Sequence, residues 1–432
     1  MPERTLLRGA RVVDPASGRD GVTDVLVEDG RIAAMGDDAG GPAAEVLDCT
    51  GLVLAPGLVD VHTHLREPGR EDEETVETGS RAAAAGGYTA ITAMANTDPV
   101  ADTPAVIEEV RTLAAKAGLC DVFPVGAITK GLGGEEMAAL GEMAAIGVRL
   151  FSDDGRCVPT SRVLRNALRY ARAFDVVIAE HCEDVALSEG TQMHEGVHSS
   201  TLGLAGEPAE AEEIVVYRDL ALTELTGGRL HLMHVSAAGS VELVRQAKAQ
   251  GLRVTAEVTP HHLVFTDEDL ITYDTDLKVK PPLRSAEDRE ALRAALADGT
   301  IDVVATDHAP HAVEEKEAEF DQAPPGTIGL ETALAAILTH LVEPGILPLI
   351  RAIEAMSTAP ARILGAPGHG GPIEPGRPAN LVVFDPAAEW VVEAPFVSRS
   401  RNCAFLGRRL KGRVVHTMLR GEAIVADGKP QR

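Results

Sequence analysis

The chain has 432 residues, of which 45% are hydrophobic and 25% are charged, the balance of an ordinary globular protein. Its 40 lysines and arginines stand against 66 aspartates and glutamates, so the formal net charge is −26. Such a charge repels phosphate backbones and anionic membrane surfaces, and aromatic residues make up only 3%. Nucleic-acid and membrane binding are therefore excluded as expected functions. An anionic substrate would need local cationic side chains or a metal ion.

The cysteines and the apolar segments predict a cytoplasmic protein. The five cysteines are odd in number and include no CxxC pair, which is typical of a reducing compartment and not of a disulfide framework. The N-terminal MPERTLL has no apolar core of signal-peptide length. The apolar stretch 334–350 is interrupted by His340, Glu343 and Pro344, so we expect no membrane span.

Both ends of the chain are predicted to form short β-strands. Residues 1–55 contain segments such as DVLVEDGRIAAMG, which alternate apolar and polar positions and break at Gly or Asp-Gly. Residues 366–432, with ANLVVFDP and GRVVHTMLRG, show the same pattern. Because these two ends flank a different middle, we predict one small β-sandwich domain built from both termini, residues 1–55 and 366–432.

The middle of the chain, residues 56–365, alternates short apolar runs with helix-period segments. In the helical segment 103–118, Thr103 can cap the first turn, Pro104 suits the first helical position and Gly118 suits the exit. Repeated apolar strands, each followed by a helix, predict an α/β fold of the (β/α)8 TIM-barrel type. A doubly wound sheet is the alternative, but it explains neither eight units nor the matched β-rich ends. The predicted strands are 57–64, 88–96, 121–129, 147–154, 175–181, 229–236, 252–260 and 301–308.

Histidines and aspartates lie at the C-terminal ends of these strands, where barrel enzymes carry their chemistry. Residues two apart in a strand face the same way, so His62 and His64 can bind one metal ion. Four imidazoles and two carboxylates match a mixed nitrogen and oxygen site for a divalent ion, zinc foremost. So many buried ionisable groups would be costly without a metal. The full set is His62, His64, Asp153 or Asp154, His181, His234 and Asp307, since strand alternation leaves both members of the aspartate pair open.

Three other histidines fit the metal site less well. His194 and His198 fall in the Gly- and Ser-containing stretch 188–206, which predicts a solvated loop. His231 lies three residues before His234 and should face the opposite side of its strand. We therefore interpret His231 as a structural residue.

Several motifs resemble those of the type I dihydroorotases, a family of the cyclic amidohydrolases. Residues 59–69, VDVHTHLREPG, are similar to the signature of the first barrel strand, and PARILG (360–365) followed by ANLVVFDP is similar to the return into the β-sandwich. The match covers essentially the whole chain, and the set is far more specific than any one motif. The other matching motifs are FSDDG (151–155), EHCED (180–184), HVS (234–236), TPHHL (259–263), PPLR (281–284), ATDHAPH (305–311) and GLET (329–332).

The resemblance implies a zinc centre with a catalytic aspartate. One Zn²⁺ position would be held by His62, His64 and Asp307, and a second by His181 and His234, with Asp154 as the bridge. The expected cofactor is thus one or two zinc ions, two being favoured, and Asp154 is preferred to Asp153 on the family alone. Many relatives bridge their metals with a carbamylated lysine, but segment 147–156 contains no lysine. This absence argues against an allantoinase or a dihydropyrimidinase.

The resemblance also implies the substrate contacts. Arg66 is chemically suited to this role, because a guanidinium binds a carboxylate with two hydrogen bonds. The chain departs from the family at Lys280, where Asn is usual, and at Pro325–Gly326, where an aromatic-Gly pair is common. We expect the Lys280 ammonium to lie at the barrel mouth near Arg66 and attract a substrate carboxylate; a solvated side chain is the alternative. The implied contacts are His64, Arg66, Asn96, Lys280, His311, Pro325 and Gly326.

The implied activity is the reversible cyclisation of N-carbamoyl-L-aspartate to L-dihydroorotate in pyrimidine biosynthesis. Asp307 would carry the proton, and residues 183–208 would form a lid. Two alternatives stay open: another cyclic amidohydrolase of the allantoinase or dihydropyrimidinase type, and a catalytically silent scaffold for aspartate transcarbamoylase. The expected partners are the small anionic substrate and either a second copy in a homodimer or aspartate transcarbamoylase.

Overall fold

The computed structural model describes residues 4–40 and 45–431. Residues 1–3, 41–44 and 432, which belong to the predicted terminal domain, lie outside the described residues. The N-terminal part forms five strands: β1 (Arg4–Asp14), β2 (Arg19–Glu28), β3 (Arg31–Met35), β4 (Glu45–Asp48) and β5 (Val53–Pro56). One edge of β1 pairs with β2, and the other pairs with β4 along its first half and with β5 along its second. The sheet therefore divides at β1.

The next part of the chain forms a parallel barrel. The strands are β6 (Leu58–Asp60), β7 (Tyr88–Ala93), β8 (Asp121–Pro124), β9 (Leu150–Ser152), β10 (Val177–Glu180), β11 (Met193–His194), β12 (Gly206–Glu207), β13 (Leu230–Leu232), β14 (Val254–Val258) and β15 (Val303–Val304). The short β11 and β12 pair only with each other, and the other eight form two parallel runs, β6-β7-β8 and β9-β10-β13-β14-β15. Single bridges from Gly126 to Phe151 and from Thr63 to His308 join these runs. The predicted (β/α)8 barrel is confirmed.

The C-terminal part returns to the first sheet. It forms β16 (Leu381–Val391), β17 (Arg409–Leu419), β18 (Glu422–Ala426) and β19 (Lys429–Pro430). Strand β16 pairs antiparallel with β5, with Leu381 opposite Pro56 and Phe384 opposite Val53. The sheet is thus built from both ends of the chain, as predicted, while the domain boundaries at 55 and 366 stay a prediction.

The helices pack around the barrel and in its loops. Helix α2 begins after Thr103 with Pro104 in its first turn and ends at Gly118, whose φ of 62° is left-handed, as the sequence suggested. The Thr103 side chain, however, makes no capping hydrogen bond. The helices are α1 (Val76–Ala85), α2 (Pro104–Ala117), α3 (Leu140–Ala145), α4 (Ser161–Ala171), α5 (Val185–Ser188), α6 (Val197–Leu202), α7 (Glu210–Thr226), α8 (Ala238–Ala249), α9 (Pro260–Val264), α10 (Ala286–Asp298), α11 (Val313–Lys316), α12 (Ala333–Ile337), α13 (Leu349–Ile353) and α14 (Ala359–Leu364).

The barrel interior is a packed core and not a pore. Small and branched side chains from successive strands fill it, which explains why the strands read as near-continuous apolar runs. Among the described residues, no helix has the length and apolar character needed to cross a bilayer. The interior residues include Val59, Val61, Ala90, Met94, Val125, Leu150, Val177, Ala179, Met233, Val303 and Ala305.

Candidate metal centre

The first and last barrel strands are tied together directly below the site. The fully buried carboxylate of Asp60, at the end of β6, accepts hydrogen bonds from the backbone N–H of His62 (3.0 Å) and of Thr306 (3.1 Å). Burial raises the pKa of Asp60 to about 7, although these hydrogen bonds oppose the shift. These hydrogen bonds of Asp60 connect the segment after β6, which carries His62 and His64, with the segment after β15, which carries Asp307.

Four side-chain atoms lie close together here, from His62, His64 and Asp307 and from Asp154, which follows β9. His62 Nε2 lies 3.2 Å from Asp154 Oδ2 and 3.3 Å from Asp307 Oδ1. His64 Nε2 lies 3.3 Å from each of the same two oxygens. Ligand atoms about 2.0–2.1 Å from one tetrahedral zinc ion would lie roughly 3.3–3.4 Å apart. Four of the six distances among these atoms therefore match those in a tetrahedral ligand set.

The other oxygen of Asp154 faces a second pair of histidines. Asp154 Oδ1 lies 3.3 Å from His181 Nδ1 and 3.3 Å from His234 Nε2, and these two nitrogens are 2.8 Å apart. All three side chains are buried. One carboxylate thus faces two nitrogen pairs through different oxygens, which is the arrangement of a bridging ligand.

The neighbouring Asp153 does not face the histidines but accepts hydrogen bonds from the loop after β8. Its Oδ1 accepts hydrogen bonds from the backbone N–H of Ile128 (2.8 Å) and Thr129 (2.9 Å), and its Oδ2 accepts one from the Thr129 hydroxyl. Asp153 therefore holds the loop after β8, and Asp154 is the member of the pair that meets the histidines.

The electrostatics of the cluster fit a cation. Burial favours the neutral form of Asp154 and Asp307, yet the surrounding imidazoles hold the pKa of both carboxyls below the usual range. Burial opposes charge on His62 too, but Asp154 and Asp307 raise its pKa well above the ordinary value. His62 Nε2 is buried and forms no hydrogen bond within the described residues. A divalent ion at this point would satisfy the nitrogen and both carboxylates at once.

Outer polar groups orient three of the histidines. Glu257 on β14 accepts from His62 Nδ1 (2.6 Å) through Oε1 and meets His231 Nε2 (2.9 Å) through Oε2. Burial opposes its ionisation, but His62 and His231 lower the pKa of Glu257 to about 2. His64 Nδ1 lies 3.0 Å from Asn96 Oδ1. Carboxylates and amides of this kind fix the tautomer in which the other ring nitrogen can bind metal.

The backbone at the site departs from the usual regions. Arg66, His234 and Asp307 have φ values of 60°, 30° and 46°, in the left-handed region that residues other than Gly seldom adopt. Each such conformation costs on the order of 1–3 kcal/mol and persists only where the surroundings impose it. Nothing in the sequence pattern marks these positions in advance.

The predicted substrate residues line the same end of the barrel. Arg66 is only 12% exposed, and its Nε contacts Glu73 Oε2 (3.0 Å) and Pro310 O (3.1 Å). Within the described part of the chain, no hydrogen bond uses its Nη atoms, so they can still meet a carboxylate. His311 Nδ1 faces Glu73 Oε1 (3.1 Å), and its Nε2 faces Pro325 O (3.0 Å).

The Pro325–Gly326 turn is held from several sides. Gly326 has a φ of 146°, and a Cβ there would stand 2.8 Å from His311 Nε2, so the position requires glycine. Gly326 O accepts from Lys316 Nζ (3.0 Å) and from Asn402 Nδ2 (3.1 Å). The turn therefore presents its backbone beside His311 in a fixed conformation.

The Lys280 ammonium, which was expected to attract a substrate carboxylate, is paired with a carboxylate of this chain. Its Nζ is 2.7 Å from Glu183 Oε1, and its side chain is 39% exposed. Both residues border a cavity of about 700 Å³ that also touches Gly155 and Pro325. The ammonium therefore lies on the wall of this cavity with its charge already paired, and a position near Arg66 stays a prediction.

The segment 183–208 is more ordered than a solvated loop. It contains α5, α6 and the β11–β12 pair, and His194 is half-buried with Nδ1 3.4 Å from Arg284 Nη1. The expectation of a solvated loop around His194 and His198 is therefore wrong. His231, by contrast, is buried and bound to Glu257 and Thr255, which agrees with the structural role predicted for it.

Sequence reasoning missed three polar residues near the centre. Glu257 on β14 and Glu183 after β10 both reach histidines of the cluster. Of the two, only Glu257 could have been identified, from the alternation of inward- and outward-facing side chains along β14. His261 is fully buried, and its Nε2 has no hydrogen-bond partner among the described residues. Burial lowers the pKa of His261 to about 4, so it is a neutral imidazole. The motif TPHHL contained the signal without assigning a role.

Comparisons with known proteins agree with this geometry. A family model described as dihydro-orotase-like matches residues 51–240. The dihydroorotase of Streptomyces coelicolor is 53% identical over 429 residues, covering 99% of each chain. The dihydroorotase of Mycobacterium tuberculosis is 51% identical over 428 residues, covering 98% of this chain and 99% of its own.

The chain belongs to the dihydroorotase family. Solved structures show the same fold in a neighbouring family: the L-hydantoinase of Arthrobacter aurescens superposes with a TM-score of 0.88 at 28% identity, covering 99% of this chain and 97% of its own. Members of the dihydroorotase family are cyclic amidohydrolases, so this chain is an enzyme of that class. The candidate metal cluster lies at the end of the barrel where such enzymes act.

Proposed function

We propose that this enzyme interconverts N-carbamoyl-L-aspartate and L-dihydroorotate with the help of two zinc ions. The observation that carries the proposal is Asp154, whose two carboxylate oxygens face two separate ligand sets 3.2–3.3 Å away. The full-length similarity to dihydroorotases supports the choice of substrate. The pyrimidine pathway follows from that substrate.

The donor set supports zinc over harder cations. Four imidazole nitrogens and two carboxylates suit zinc, whereas magnesium and calcium prefer oxygen ligands. His62, His64 and Asp307 would hold the first ion, His181 and His234 the second, and Asp154 would bridge them. When bound, such an ion lowers the pKa of a water molecule from about 16 to roughly 7 and polarises a carbonyl oxygen.

Asp307 is the proton carrier in this proposal. It is 8% exposed, and its neighbours keep it ionised. In the hydrolytic direction it accepts the proton of the attacking water and returns it to the departing ring nitrogen. In the closing direction it removes the proton of the ureido nitrogen. Because the imidazoles hold its pKa below the usual range, Asp307 would be a poor base in water, so the proposal requires a pocket from which water is excluded.

Arg66 and the residues around it would hold the substrate. The Nη atoms of Arg66, which form no hydrogen bond within the described residues, suit a substrate carboxylate, while its Nε stays paired with Glu73. Asn96 and His64 border the same space, since their side chains are in contact. His311 and the backbone of Pro325–Gly326 would complete the contacts. Residues 183–208, which carry Glu183, would cover the cavity as a lid.

Two alternatives receive less support. A hydantoinase-like or allantoinase-like activity would fit the fold, but the identity to the L-hydantoinase is 28% against 53% to a dihydroorotase, and segment 147–156 has no lysine to carbamylate. A silent scaffold would not need six buried histidine and aspartate side chains whose nitrogen and oxygen atoms lie 2.8–3.3 Å from their neighbours in the cluster. We therefore retain the catalytic function.

We also propose that the enzyme is cytoplasmic and that it binds a second copy of itself or an aspartate transcarbamoylase. All five cysteines are free and buried, which fits a reducing cytoplasm. Ile214 and Tyr217 lie one turn apart on α7 and are 50% and 66% exposed, and Val185 is exposed on α5, a helix in contact with α7. An apolar surface of this kind suits a second copy of the chain or an aspartate transcarbamoylase. Sedimentation of the enzyme alone and mixed with a transcarbamoylase tests both.

Metal analysis combined with turnover tests the function. We expect two zinc ions per chain, hydrolysis of L-dihydroorotate and cyclisation of N-carbamoyl-L-aspartate, and little turnover of hydantoin or dihydrouracil under the same conditions. A metal-loaded enzyme that hydrolyses hydantoin faster than dihydroorotate would contradict the substrate. A chain that binds no metal would contradict the mechanism.

A further inference from the structure

Lys280 replaces the Asn of related motifs, and it reaches a side chain that borders the metal centre. Its Nζ lies 2.7 Å from Glu183 Oε1. The other oxygen of that carboxylate, Oε2, lies 3.4 Å from His181 Nε2. Glu183 is only 7% exposed. A chain of three charged or ionisable groups therefore runs from the cavity wall to the second histidine pair.

The position of Glu183 matters for the way His181 can bind a metal. His181 Nδ1 is the nitrogen that faces Asp154 and His234. To offer a lone pair there, the ring must carry its proton on Nε2. An ionised carboxylate facing Nε2 favours that tautomer and fixes the ring orientation.

Lys280 is the cationic side chain that pairs with the Glu183 carboxylate on the side away from His181. In the part of the chain that the structure describes, no other lysine and no arginine forms an ion pair with Glu183. A buried carboxylate without a cationic partner is costly, and it would turn towards the cavity and its solvent. An asparagine at 280 could donate a hydrogen bond but could not supply the charge.

We propose that Lys280 is a positioning residue for the second metal position, which it stabilises through Glu183 and His181. The inference rests on the proposed two-metal centre. The first position is independent of Lys280, because Glu257 orients His62 and Asn96 orients His64. A Lys280 substitution should therefore weaken one metal and leave the other unchanged.

Competition with a chromophoric chelator measures this directly. Metal-free enzyme is titrated with Zn²⁺, which gives the number of ions and the affinity of each. We expect Lys280→Met to weaken one of two ions by roughly 10- to 100-fold, the usual effect of losing an outer partner of a metal-bound histidine. Lys280→Arg, which keeps the charge, should restore most of the affinity. Lys411→Met, on β17 of the terminal sheet, is the matched control, since the ion pairs that it removes in the described part of the chain are those with Glu343 and Glu389 only.

A double-substitution cycle tests whether Lys280 acts through Glu183. Glu183→Gln should itself weaken the second ion, and Lys280→Met added to it should change the affinity by less than about twofold, because residues in one network are not additive. The unfolding temperature of the metal-free proteins should be nearly the same. The gain in unfolding temperature on adding Zn²⁺ should be smaller in both single variants.

Three results would overturn the inference. If Lys280→Met binds both ions as tightly as the wild type and only KM changes, Lys280 is a direct substrate contact and not a positioning residue. Additive effects of the two substitutions would show that Lys280 acts without Glu183. A wild-type enzyme that holds a single zinc ion and still hydrolyses dihydroorotate would exclude a second position, yet leave the proposed reaction intact.

Discussion

Asp153 and Asp154 are adjacent but have different roles: Asp153 accepts hydrogen bonds from the loop at 128–129, and Asp154 faces the histidines. Asp154→Ala removes the carboxylate that faces all four histidines, so both metal content and turnover should be lost. Asp153→Ala should keep most of the metal and instead destabilise the loop at 128–129, at a cost of about 1–3 kcal/mol for the unpaired backbone N–H groups. Elemental analysis and denaturant unfolding of both variants measure the two effects. Loss of metal in Asp153→Ala alone would reverse the assignment.

Asp307 combines a ligand atom with the proposed base, and a substitution can separate the two roles. Asp307→Asn keeps an oxygen beside His62 and His64 but cannot accept a proton. Turnover should fall by a factor on the order of 10²–10⁴, the usual contribution of general acid–base catalysis, while much of the metal stays bound. Steady-state kinetics on protein of measured zinc content decide the matter. Near-normal kcat in a zinc-loaded variant would remove Asp307 from the proton transfer.

The site residues show where sequence reasoning reaches its limit. The strand-end histidines could be named because each follows an apolar run and points into the barrel. The partner of His62 could not, since Glu257 lies 195 positions away and meets it only through the closure of the barrel. The choice between Asp153 and Asp154 depended on the family until the hydrogen bonds from 128–129 supplied a physical reason.

At the scale of elements, Lys316 at the end of α11 fixes the turn that carries Pro325 and Gly326. Its Nζ donates to Pro324 O and Gly326 O, both at 3.0 Å. Burial lowers the pKa of Lys316 from 10.5 to about 8. Between pH 8 and 10.5 the folded protein therefore releases a proton that the unfolded chain retains, so this group's contribution to stability rises with pH.

Lys316→Met isolates that contribution. The difference in unfolding free energy between wild type and variant should move in favour of the wild type by up to roughly 3 kcal/mol from pH 8 to 10.5. The cysteines, whose thiols titrate in the same range when unfolded, are identical in both proteins and cancel. KM for dihydroorotate should rise in the variant, because the turn loses two hydrogen bonds. A difference that stays constant with pH would mean that Lys316 does not titrate in this window.

The elements themselves were largely predictable, because the two periodicities in the sequence are strong. All eight barrel strands lie within the predicted runs, although the observed strands are shorter: 301–308 becomes Val303–Val304, for example. Asp307, one of the trimmed residues, lies beyond the end of the strand and forms part of the site. The order within 183–208 was missed, since helices and strands of two to six residues leave no periodic signal.

At the scale of the whole molecule, the terminal sheet and the barrel share one core. Phe384 on β16 is fully buried and belongs to the same cluster as Leu58 and Tyr88 of the barrel. Strand β16 also pairs with β5, directly before the chain enters the barrel at β6. The predicted barrel (residues 56–365) and the two ends of the chain thus differ in how their strands are connected. We nevertheless expect them to unfold together, as one cooperative unit.

Phe384→Ala tests that expectation. Truncating a buried Phe typically costs about 3–5 kcal/mol, and a shared core should transmit the loss to the barrel. We predict one unfolding transition at a lower temperature, with zinc released in the same step, as followed by calorimetry and a zinc-sensitive dye. Val391→Ala on the same strand, at a side chain that is 41% exposed, is the control and should unfold like the wild type. If Phe384→Ala instead produces an early transition that leaves zinc bound and dihydroorotate turnover intact, the sheet is an independent unit and the core is shared in geometry only.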